Sequence, residues 1–104
     1  MPDPPPGSFR VDRVPRVDEQ IQELARVAKA KGIRASYIKA LKAIHRRLTL
    51  VPQEWGDPEY HTQLAGGVAY HGVYPPLLVH FIVYEASHWV CILDITPLPN
   101  SGFD

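Results

Sequence analysis

Residues 77–98, LLVHFIVYEASHWVCILDITPL, decide the fold. Val, Ile, Leu, Phe, Tyr and Trp fill 77–84 and 89–95, and Glu85-Ala86-Ser87-His88 between them is short enough for a hairpin turn. Two strands this apolar cannot stand alone in water. They require at least one further strand and a covering layer of helix. Alternation within the first strand sets Leu77, Val79, Phe81 and Val83 on a core face and Leu78, His80, Ile82 and Tyr84 on the opposite one.

The chain has 104 residues, 45% of them hydrophobic, which suits one small domain with a modest core. Cys91 is the only cysteine; it sits in an apolar strand and reads as a buried, inert thiol. The N-terminal MPDPPPGS has no apolar run of the kind a signal peptide needs, and no segment reaches the roughly 20 apolar residues of a membrane helix. A soluble, cytoplasmic protein is therefore expected, with no membrane partner.

The formal net charge of zero conceals an asymmetry. All eleven Lys and Arg lie between Arg10 and Arg47, against five acids in that half, so residues 1–47 carry +6 and residues 48–104 carry −6. Four of the five histidines lie in the acidic half. This predicts a basic patch on the N-terminal elements, suited to nucleic acid or to an acidic partner, although solvated helix faces are charged for no special reason.

Residues 1–8 form a proline-rich tail, taken as disordered. Alternation over 9–14 predicts a strand that Pro15 closes. Asp18 is placed as an N-cap or first-turn residue of a helix running to about Lys31, where Gly32 stops it, with an apolar stripe of Ile21, Leu24, Ala25 and Ala28. Ser36 is the expected cap of a second helix reaching about Leu50, striped by Tyr37, Leu41, Ile44 and Leu48. Lys39, Lys42 and Arg46 fall at i, i+3 and i+7 on another of its faces, with Arg47 beside them, and His45 is expected to be partly buried. The short turn makes the two helices an antiparallel hairpin.

PQEWGDP at 52–58 is turn chemistry, with Trp55 packing on the domain edge. Strands over 59–64 and 68–73 flank Gly66-Gly67, and Pro75-Pro76 ends the second. The expected architecture is α+β: an N-terminal strand, the two-helix hairpin, then a three- to four-stranded antiparallel sheet covered on one face, all within 9–99, followed by a tail over 100–104.

Ala40-Leu41-Lys42-Ala43-Ile44, then Leu48-Thr49-Leu50-Val51-Pro52 with Gly56-Asp57-Pro58, and the apolar hairpin over 77–85 and 90–95 together resemble the RelE/ParE superfamily of type II toxin–antitoxin toxins. The likeness covers about residues 9–99 and lies in size and hydrophobicity. It implies a toxin with a cognate antitoxin. RelE-like members cleave mRNA on the ribosome without a metal or other cofactor, and ParE-like members poison DNA gyrase by binding.

Metal-free RNA cleavage needs a base for the 2′-OH, cations for the phosphate, and an acid for the leaving oxygen. After Arg47 there is no Lys or Arg, so the sheet is expected to lack a permanent cation, and Phe103, the last aromatic, has no hydroxyl. The candidates that remain are His80, Tyr84 and His71 for catalysis, with Lys39, Lys42, Arg46 and Arg47 gripping RNA or a partner. His80 and Tyr84 are expected side by side on the more exposed face, with Asp94 and Thr96 opposite on the partner strand. A half-exposed His and Tyr are equally ordinary surface residues. His61, His71 and His80 match no metal-ligand spacing, and His88 reads as a turn residue, so no metal site is expected. No glycine-rich phosphate loop, nucleophile elbow or internal repeat occurs. The expected function is RelE-like mRNA cleavage; the alternative is a catalytically inactive or ParE-like binding module acting on gyrase or an antitoxin.

Overall fold

A computed structural model describes residues 6–64 and 66–104, residues 60–64 by their backbone alone. The proline-rich stretch 1–5 lies outside the described residues. In chain order the elements are β1 (Arg10–Arg13), α1 (Pro15–Ala30), α2 (Arg34–Leu50), the one-turn α3 (Pro52–Trp55), β2 (Asp57–Leu64), β3 (Gly67–Tyr74), β4 (Leu77–Tyr84) and β5 (Trp89–Pro97). They build an α+β fold.

The helices begin earlier than their polar side chains suggest. Pro15 occupies the first turn of α1, where its missing N–H costs nothing, and Asp18 sits within that turn, paired with Arg13. Gly32, at φ +75°, ends the helix by letting Ile33 N–H reach Ala28 O at 2.9 Å while its own N–H reaches Lys29 O at 3.3 Å. That turn delivers Ile33 as the cap of α2, and Tyr37 N–H donates to Ile33 O at 3.0 Å. The expected cap, Ser36, is therefore already inside the helix.

The sheet has five strands in the order β1-β5-β4-β3-β2. The meander from β2 to β5 is antiparallel, but β1 pairs parallel to β5, with Val11 opposite Val90 and Arg13 opposite Ile92. The sheet is thus mixed, where an antiparallel one was expected. Three reversals within the meander set β5 antiparallel to β2, and the helical segment between β1 and β2 brings the chain back so that β1 runs alongside β5 in the same direction.

One face of the sheet carries Leu77, Val79, Phe81 and Val83, all fully or almost fully buried against Val17, Leu24 and Ala28 of α1 and Tyr37, Ile44 and Leu48 of α2. A side chain such as these contributes about 1.5–3 kcal/mol when taken from water. Trp55 stacks on Phe81 at 5.8 Å and 9°, and its ring covers Gly72, the one position in β3 where a Cβ would strike it at 2.5 Å. Residues 101–104 return to the helices: Phe103 joins the core edge-on to Tyr37 at 5.8 Å, and Gly102 lies under Ile33. Among the described residues no helix is long and apolar enough to cross a membrane.

Candidate functional site

The second face of the sheet is the one that alternation assigns to His80. Two ladder rows organise it. In one, Asp57 of β2, His71 of β3, His80 of β4 and Asp94 of β5 stand opposite one another in register. The His71 and His80 rings are 6.3 Å apart, His80 Nδ1 lies 3.0 Å from Glu59 Oε1, and His71 Nε2 lies 3.9 Å from Asp57 Oδ2. Asp94 stands opposite His80 on the backbone, but a β-bulge beside it turns its carboxylate to Gln20 of α1, whose Nε2 donates to it and whose Oε1 accepts from Ile95 N–H at 2.9 Å.

The other row runs Arg10, Trp89, Tyr84 across β1, β5 and β4. Trp89 and Tyr84 stack at 4.8 Å and 20°, and Tyr84 lies over Gly67, where a Cβ would meet its ring at 2.8 Å. Arg10 holds its guanidinium 5.6 Å above the indole. Asp12 ties the group together, accepting from Trp89 Nε1–H at 2.8 Å and from Arg10 Nε–H at 2.9 Å. These are exposed bonds of small energetic weight, but they fix the direction of both side chains.

Three sequence expectations change here. His80 and Tyr84 share a face but are not side by side: four residue steps along the strand, about 13 Å, separate them, with Ile82 between. The sheet does hold a permanent cation, because β1 joins its edge and brings Arg10 to this face. Cys91 is half-buried, not sealed in the core, and sits opposite Asp12; burial and then the Asp12 charge push its thiol upward, which disfavours the thiolate.

α2 packs on the other side of the sheet. Its exposed surface carries Arg34, Lys39, Lys42, Arg46 and Arg47 and no acid, and none of these five takes part in an ion pair among the described residues. His45, expected to be partly buried, is exposed in the same surface. Two open hollows run along it. One, of about 420 Å³, is lined by Arg34, Ala35, Ile38, Lys39 and Lys42. The other, of about 360 Å³, is lined by Ala43, Arg46, Arg47, Leu50, Val51 and Tyr74. The floor is apolar and the rim cationic.

The structure therefore brings His71 and His80 together, keeps Tyr84 on their face at a distance, and sets Lys39, Lys42, Arg46 and Arg47 across the core from all three. Among the described residues no three His, Cys, Asp or Glu side chains converge as metal ligands would. Glu59, Asp57, Asp12, Arg10 and Trp89 escaped the sequence reading. The first two were hidden in a supposed turn and a short strand, whereas the alternation of Arg10 and Asp12 against Phe9 and Val11 was a usable signal. Compared with known proteins, the chain matches no family model, no curated protein and no solved structure.

Proposed function

We infer that the chain is a type II toxin of RelE/ParE plan that works as a binding module, through protein contacts made by α2. The separation of charge carries this reading. A ribonuclease must hold phosphate where its acid and base sit, yet the face with His71 and His80 presents one guanidinium, Arg10, against the carboxylates of Asp12, Asp57 and Glu59. Such a face repels a polyanion. The α2 strip, basic with an apolar floor, matches instead an acidic amphipathic protein segment.

The test is co-expression with the product of the adjacent reading frame, followed by capture on this chain. Wild type is expected to retain that small protein, and Lys39→Glu/Lys42→Glu/Arg46→Glu to lose it at least tenfold while staying folded. Equal capture by both would overturn the assignment of α2.

Cleavage is kept as a second reading on one observation, the 6.3 Å approach of His71 and His80 with a carboxylate beside each. One imidazole would take the 2′-OH proton as that oxygen attacks phosphorus, and the other would protonate the departing 5′-oxygen.

A further inference from the structure

The two surfaces described above are complementary to each other and belong to one chain. Strands β2 to β5 contain no Lys or Arg, and Asp57 and Glu59 stand on their open face beside His71 and His80; α2 contains five cations and no acid. We propose that the open sheet face of one molecule receives the α2 strip of a second copy, so that the protein self-associates head to tail.

Dimensions agree as well as sign. Asp57 to the His80–Glu59 pair spans two strand spacings, about 10 Å, and Lys39 to Arg46 spans seven helical residues, about 10 Å. Each surface also offers apolar contact: Val73, 48% exposed, beside the acidic row, and Leu50, 39% exposed, in the second α2 hollow. The zero net charge removes the long-range repulsion that keeps many small proteins apart. A second copy is favoured over a foreign occupant because each copy supplies both complementary surfaces.

Because the donor and acceptor surfaces differ, the contact is heterologous and leaves one of each free at the ends, so association extends beyond two. It also occupies the strip assigned above to a partner protein, which gives self-association a regulatory role: partner and second copy exclude each other. The proposal depends on the geometry of α2 and not on the toxin reading. A chain that stays monomeric yet captures the neighbouring gene product would refute the proposal alone.

The experiment is sedimentation velocity over a wide concentration range at about 50 mM and 500 mM salt, Debye lengths of roughly 14 and 4 Å. At low salt the average mass is expected to rise above 11.7 kDa with concentration, and to fall back at high salt. Lys39→Glu/Lys42→Glu and, separately, Asp57→Lys/Glu59→Lys are each expected to stay monomeric, with circular dichroism confirming that they fold. Mixed in equal amounts, these two variants should associate again, because the intact surfaces pair and the two reversed surfaces are complementary to each other. A mass of 11.7 kDa for wild type at every concentration and salt would overturn the proposal, as would association that either double variant leaves unchanged.

Discussion

His80 and Glu59 meet at 3.0 Å on the open face of the sheet, where the one guanidinium, Arg10, is paired with Asp12; the cluster of cations able to neutralise a phosphate lies beyond the core, on α2. The imidazole is thus furnished with a carboxylate and not with a cation. In a purified translation system, primer extension on a reporter mRNA is expected to show the transcript intact in the presence of the protein. His71→Ala/His80→Ala should capture the partner as well as wild type does. Ribosome-dependent cuts that disappear in this double variant would transfer the assignment to the nuclease reading.

Gly72 lies flat beneath Trp55, with room for no Cβ. Gly72→Ala must push the indole off Phe81 or bend β3, and overpacking of this kind costs about 1–3 kcal/mol. Urea unfolding should show the midpoint falling with an unchanged slope. A change under about 0.5 kcal/mol would mean that α3 tolerates displacement and that Trp55 is not held by β3.

Phe103 is 9% exposed and closes the core against Tyr37. Phe103→Ala is expected to cost about 3 kcal/mol, the lower end for a buried phenyl ring, because one edge of the site is open to water. Thermal unfolding followed by circular dichroism measures the loss. Removing residues 101–104 should cost no less.

Tyr37 is buried, its hydroxyl donates to Ile21 O at 2.7 Å, and burial pushes the phenol up to about 12. In the unfolded chain the group ionises near pH 10. Its contribution is therefore complete below pH 10 and is lost as the pH rises towards 12, because only the unfolded state releases the proton in that window. Tyr37→Phe should cost about 1 kcal/mol near neutrality through the lost hydrogen bond and should flatten the alkaline fall in stability. Parallel alkaline profiles for the two proteins would count against this assignment.

Much of the fold was legible because hydrophobic period reports burial directly. The alternation in 77–84 placed its four core side chains correctly, and the stripes through Leu24 and Ile44 found both helix faces. Leu41 was taken for core where Ala40 is the buried neighbour, since an alanine contributes little to a pattern scored on size. The expected turn over 52–58 became a helical turn and the first two residues of β2, because Pro52 opens a helix as readily as it ends one.

The candidate site was less legible for a physical reason. Which side chains share a face across strands depends on register, and register between distant strands is not written in either strand alone. His71 opposite His80 required the Pro75-Pro76 turn to set the pairing, and Arg10 above Trp89 required a parallel partner far along the chain. The division of cations and histidines between opposite sides of one core is a property of layers, which linear spacing does not encode.

The parallel docking of β1 on β5 has a kinetic consequence. Asp12 and its partner Trp89 are separated by 77 positions, and closing a loop of that length costs about 4 kcal/mol of chain entropy before the contact returns anything. During synthesis the first strand must therefore wait, unpaired, until almost the whole chain has emerged, whereas the meander from β2 to β5 can assemble from neighbours. Acquisition of the Arg10–Trp89 stack is expected to be the last event of folding, and the first to be undone when the molecule opens.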